Sequence, residues 1–137
     1  MPEKDIRWIQ RFDNYQKALQ RLTLIVNEIG DNEPSDMERL SVIKIFELTF
    51  ELAWQVMKDY LIYKSVAKRI IGSRDAIRCA LQESLIENGQ LWIDMIDDRN
   101  YAAHAYDESK AKLLTEKILD KYYGEFIDFQ NKMETIE

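Results

Sequence analysis

The stretch SDMERLSVIKIFELTFELAWQVMKDYLIY, Ser35 to Tyr63, decides the fold. Its apolar residues Ile43, Phe46, Phe50, Trp54, Met57 and Leu61 recur three or four apart, which places them on one side of an α-helix. Ser35-Asp36-Met37-Glu38, with Pro34 just before it, reads as a capping box: serine and glutamate each satisfy a backbone N–H at a helix start. Neither Gly nor Pro occurs between Asp36 and Tyr63, so one long helix is expected from Ser35 to about residue 63.

The same period appears on both sides. Residues 5–29 carry Trp8, Phe12, Tyr15, Leu19, Leu22, Val26 and Ile29 on one stripe, and Gly30 ends that helix. After a basic connector, Lys64 to Gly72, Ser73 reads as the N-cap of a shorter helix with Ile77, Ala80, Leu81 and Leu85 inward, stopped by Asn88-Gly89. A fourth helix carries Leu91, Trp92, Met95 and Ile96, and a fifth starts near Asp107 with Leu114, Ile118, Tyr122, Phe126 and Phe129 inward. Short connectors make sequential helices antiparallel neighbours. The expectation is an all-α, antiparallel up-and-down bundle of four or five helices, a single domain over residues 1–137.

Composition agrees. Hydrophobic residues make up 46% and charged residues 32%, with only 4 Gly and 2 Pro, a balance that favours long helices over turn-rich sheets. The single cysteine, Cys79, excludes an internal disulfide and reads as a packing residue. The start MPEKDIRW lacks the apolar segment of a secretory signal, and no apolar run approaches the roughly 18 residues of a membrane span, so a cytoplasmic protein is expected. A net charge of −6 argues against a protein that coats nucleic acid electrostatically. Lys64, Lys68, Arg69, Arg74 and Arg78 form a local basic cluster that fits RNA guidance, an acidic partner, or simply a solvated connector.

Chemistry concentrates in RNYAAHAY, Arg99 to Tyr106, which holds the only histidine. Histidine titrates near neutrality and arginine holds phosphate oxygens bidentately, a pairing suited to metal-free phosphodiester cleavage. The fourth helix runs into the motif, so the stripe of Trp92, Met95, Ile96 and Ala103 is centred on Arg99 and Tyr106, with Asn100 and His104 one turn apart on the adjoining flank. Glu47 lies within the Ile43, Phe50, Trp54 stripe, where a lone carboxylate is costly to bury; it is expected to pair with Arg99, with Glu51 as the fallback one turn on. A histidine beside an apolar face also fits a hydrogen-bonded boundary residue, and an arginine can extend its head to water. One His and one Cys 25 positions apart give no metal-ligand spacing, and no Gly-rich phosphate loop is present, so neither metal nor cofactor is expected.

The motif resembles the R-x4-H-x-Y pattern of HEPN-domain proteins of the HepT type. Val42 to Leu61, Gly72 to Ile86 and Leu91 to Asp107 are similar, in order, to blocks of the nucleotidyltransferase substrate-binding protein family, and with Phe12 to Leu22 cover most of the chain. Gly72-Ser73-Arg74 stands where such proteins often have Ser-Pro-Arg, a change of cap. The resemblance implies a bundle that forms a homodimer across a cleft, a neighbouring nucleotidyltransferase of the MNT type, and a toxin–antitoxin module in which this chain is the ribonuclease. It also implies silencing by AMP addition to Tyr106. The older family name implies instead a non-catalytic substrate-binding subunit. For RNA cleavage, His104 would be acid or base, Arg99 would hold the scissile phosphate, and Asn100 would orient either.

Overall fold

The structure, a computed structural model, describes residues 7–136. It is all-helical, in the expected bundle: α1 (Arg7–Ile29), α2 (Asp36–Tyr63), α3 (Ser73–Gln82), α4 (Gly89–Tyr101), a 3-10 turn (Ala102–His104), α5 (Glu108–Lys117), a π turn (Ile118–Tyr122) and α6 (Tyr123–Glu134). Residues 5 and 6 of the first expected helix lie outside the described residues.

α1 and α2 form a hairpin because Gly30 adopts φ +56, a left-handed conformation only glycine takes without strain, and its N–H closes on the Val26 carbonyl at 3.0 Å. Ser35 then caps α2: its hydroxyl accepts the Glu38 N–H at 3.1 Å, and the Glu38 carboxylate accepts the Ser35 N–H at 2.8 Å. α2 is the central rod, touching α1, α3, α4 and α5. Phe46, Phe50, Trp92, Tyr122, Phe126, Phe129 and Tyr15 meet around it, with ring centroids 5.5 Å apart for Phe46 and Tyr122 and 5.7 Å for Trp92 and Phe126. Each such ring, fully buried, contributes about 1.5–3 kcal/mol. Tyr15 satisfies its hydroxyl by donating to the Phe126 carbonyl at 2.7 Å.

The fifth expected helix is α5, the π turn and α6 in continuous succession, and its spacing explains the π turn. Leu114, Ile118, Tyr122 and Phe126 are four apart, so in a regular helix each step overshoots the full turn by about 40° and the stripe drifts off the core. The wider turn at Ile118–Tyr122 absorbs that drift, and all four are at most 2% exposed.

Three local readings are corrected. Ser73 is the first residue of α3, with Gly72 at the cap position; the Asp75 carboxylate instead accepts the Ile71 N–H at 3.1 Å. α3 stops at Gln82, where Ser84 turns the chain at φ +61, and Asn88-Gly89 opens α4 instead of ending α3. Leu81, expected inward, is 42% exposed and lies over Gly89, where a Cβ would stand 2.7 Å from its Cδ2. Cys79 packs against the core, and burial first, then the charges of Asp75 and Glu83, push its thiol pKa up, so the thiol stays protonated. Among the described residues no helix is long and apolar enough to cross a membrane.

Candidate functional site

α4 delivers Arg99 to the flank of α2. Its neighbour Asp98 is buried and anchors the helix, accepting a short hydrogen bond from the Tyr122 hydroxyl and facing Lys117 Nζ at 3.5 Å. Arg99 Nη1 donates to Glu51 Oε2 at 2.6 Å, and its guanidinium carbon lies 5.7 Å from the centroid of the Phe50 ring. The partner is therefore Glu51, and the expected pair with Glu47 is overturned. Glu51 wins because its carboxylate is already oriented: Oε2 also accepts Trp54 Nε1 at 3.1 Å, and Oε1 accepts Gln55 Nε2 at 2.9 Å. Trp54 is correspondingly half-buried, its indole edge turned to the site.

Glu47 lies nearby in a groove of about 750 Å³ lined by Arg21, Lys44, Ile45, Glu47, Leu48, Glu51, Arg99, Asn100 and Ala103. Sequence reasoning missed Arg21 and Lys44. Lys44 had a signal, since it precedes Glu47 by three and Glu51 by seven and so shares their face of α2. Asn100 is exposed at the groove edge.

Beyond Tyr101 the helical projection fails. The chain tightens into the 3-10 turn and then turns away so that Asp107 can cap α5, accepting the Ser109 and Lys110 N–H groups at 3.1 and 3.3 Å. The Lys110 N–H first, then the Ser109 hydroxyl at 3.0 Å, hold the Asp107 carboxyl below its ordinary range. His104 is consequently not stacked on Asn100, and among the described residues no hydrogen bond joins them. Its imidazole is exposed, with Nδ1 at 3.4 Å from the Tyr106 hydroxyl and the Tyr101 ring 6.1 Å away, centroid to centroid. Tyr106, 84% exposed, does not share the face of Arg99; it lines a separate groove with Asp36, Arg39, Leu40, Ala105, Glu108 and Ala111.

The basic cluster is not brought to the motif. Lys64, Lys68, Arg69, Arg74 and Arg78 are exposed after the C-terminal end of α2, whereas Tyr106 meets its N-terminal turn. Tyr63 alone is twelve residues past Glu51, roughly 18 Å along the axis. Among the described residues, no group of three or more His, Cys, Asp or Glu side chains is placed to hold a metal ion.

The arrangement offers an oriented arginine at a groove, an exposed imidazole five residues on, and a phenol against that imidazole. Residues 10–135 match the family model described as nucleotidyltransferase substrate binding protein like. A probable ribonuclease HepT of Haemophilus influenzae is 31% identical over 114 residues, covering 75% of this chain and 78% of that protein. A solved Haemophilus influenzae structure, described as the fold of a substrate binding domain of a nucleotidyltransferase, superimposes with a TM-score of 0.81 at 27% identity, covering 90% of this chain and 98% of the other. The tri-AMPylated Shewanella oneidensis HEPN toxin, solved in complex with MNT antitoxin, shares the fold at a TM-score of 0.73 and 17% identity, over 97% and 99% of the two chains.

Proposed function

The chain belongs to the nucleotidyltransferase substrate binding protein like family, among the HepT-like HEPN proteins, and on that premise we propose that it is a metal-independent endoribonuclease, the toxin of a toxin–antitoxin pair. The observation that carries the reading is Arg99, oriented by Glu51 at 2.6 Å, five residues before the exposed imidazole of His104. In the proposed reaction an imidazole takes the proton of an RNA 2′-hydroxyl, whose oxygen attacks the adjacent phosphorus. The bond from phosphorus to the 5′-oxygen breaks, and that oxygen takes a proton from an acid. A cyclic phosphate and a free 5′-hydroxyl result, and DNA, lacking the 2′-hydroxyl, is inert.

Glu51 engages one terminal nitrogen of Arg99, so the rest of its fork of donors remains for the charge that builds on the phosphoryl oxygens. Asn100 at the groove edge would hydrogen-bond the same phosphate. Base and acid call for two imidazoles, and a homodimer supplies the second His104. Leu48, exposed in the groove beside half-buried Ile45, supports burial of this face against another copy. Lys68, Arg69, Arg74 and Arg78, remote from the motif, fit an outlying contact with RNA or an acidic partner.

Silencing would come from an MNT-type nucleotidyltransferase partner. The Tyr106 oxygen attacks the α-phosphorus of ATP, the bond to pyrophosphate breaks, pyrophosphate leaves, and the phenolic proton goes to solvent. Because that hydroxyl lies 3.4 Å from His104 Nδ1, the new phosphodiester would stand at the imidazole, and not against Arg99 as the helical projection suggested. High exposure of Tyr106 suits modification, and the Shewanella neighbour carries AMP.

Purified protein incubated with RNA in excess EDTA tests the activity. Cleavage leaving cyclic phosphate ends is expected; cleavage only after magnesium is added, or equal cleavage by His104→Ala, would overturn it. A non-catalytic substrate-binding subunit is favoured by the part of Arg99 already committed to Glu51, and predicts no cleavage by the free chain at any concentration.

A further inference from the structure

Resting on the reading of Tyr106 as the position of AMP addition, we propose that the groove beside it, under the first turn of α2, is the docking site for the attached nucleotide, with Arg39 as the cation that holds its phosphate. A tyrosine left 84% exposed at the lip of a groove of about 200 Å³ is well placed to swing a substituent into it. The volume suits one flat base more than a drug-sized ligand, which takes roughly 300 Å³ or more.

The walls divide by chemistry. Leu40, 45% exposed, and half-buried Ala105 offer apolar surface for a purine face. The carboxylate of Glu108 is an acceptor for an exocyclic amine. Arg39 supplies the positive charge. Its side chain is only 13% exposed and its Nε is buried without a hydrogen-bond partner, so its charge is held in place at the groove and its terminal nitrogens make the contacts. Its two terminal nitrogens hold Asp36 at 2.9 Å and Glu33 at 2.7 Å, but both carboxylates are about two-thirds exposed, so water compensates either one when a phosphodiester displaces it. The first turn of α2 adds the positive end of its dipole.

The nucleotide would thereby be sequestered as well as attached. Its phosphodiester would sit between the imidazole of His104 and the guanidinium of Arg39, and its base would be packed away from solvent. AMP would be removed more slowly from this tyrosine than from a freely exposed one.

The chain is co-expressed with an MNT-type nucleotidyltransferase, separated from it, and treated with a phosphodiesterase while intact mass is followed. Parent, Arg39→Gln and Leu40→Glu are compared; neither residue takes part in RNA cleavage. The parent should acquire mass increments of AMP and release them about tenfold more slowly than either variant, the scale of one hydrogen bond to a charged group. Equal release from all three would overturn the groove while leaving Tyr106 modified. No increment on the parent would overturn the reading of Tyr106 and the groove with it. Should Arg39→Gln lose helicity by circular dichroism, Leu40→Glu decides, since that side chain is already partly in solvent.

Discussion

Glu51→Gln isolates the contact on which the site depends. The substitution keeps the side chain's shape, and its amide oxygen can still accept from Arg99 and Trp54 while Gln55 turns its amide to match, so only the charge is lost. Two unit charges 4 Å apart attract by about 4 kcal/mol at an effective dielectric of 20, which would be a large effect. Glu51 is 40% exposed, however, and Arg99 32%, so solvent screens most of it. What remains is about 1 kcal/mol, a fall in melting temperature of about 4 °C for a domain of this size. Glu47→Gln, which removes a charge from the same groove but no ion pair, should melt within about 1 °C of the parent. A double-mutant cycle with Arg99→Gln should return a coupling of about 0.5–1 kcal/mol for Glu51 and near zero for Glu47. RNA cleavage by Glu51→Gln should fall through kcat more than KM, since an unaligned guanidinium still attracts phosphate. Equal costs at positions 47 and 51, or a vanishing coupling at 51, would refute the assignment.

Other substitutions read other parts of the structure. His104→Ala should reduce RNA cleavage by about 10² to 10⁴, the usual loss for a general acid or base, while its melting stays within about 0.5 kcal/mol because the ring is exposed. Tyr106→Phe should block AMP addition, followed by intact mass, yet leave cleavage by the free chain near the parent rate, because the lost hydroxyl makes only a 3.4 Å contact at the surface. Tyr122→Phe should destabilise by about 1–3 kcal/mol in denaturant titration, because it leaves buried Asp98 with Lys117 alone. Burial, then the hydrogen bond and charge of Asp98, push the Tyr122 phenol well above its ordinary value of 10, so the native state keeps a proton that the unfolded chain loses. That contribution is complete below pH 10 and lost above it, so parent stability should fall as pH rises past about 10, and Tyr122→Phe should flatten the fall.

How far the sequence could be read depends on what periodicity measures. It reports which side of a regular helix is apolar, so α1, α2 and the capping box at Ser35 were legible, and the drift of the Leu114 to Phe126 stripe even contained the cause of the π turn. Periodicity does not report where regularity ends. Asn88-Gly89 is as good a helix start as a helix stop, and α3 has already ended at Gln82, where Ser84 turns the chain at φ +61, which leaves the pair to open α4. Glu47 and Glu51 occupy adjacent turns of one stripe, and the choice between them was made by the side-chain hydrogen bonds of Trp54 and Gln55, which an apolar period does not register.

The end of α4 had the largest consequence for function. A wheel extended to Tyr106 puts the phenol on the side of Arg99, and AMP there would compete directly for the arginine proposed to hold RNA. The 3-10 turn ends that relationship within three residues, handing Tyr106 to His104 on one side and to the groove of Arg39 on the other. On the proposed reading Arg99 would then stay paired with Glu51 when Tyr106 is modified, and the block would fall on the imidazole. A modified chain should accordingly keep most of its affinity for a short RNA while losing its turnover. The same chain blocked at Arg99 would lose the affinity first.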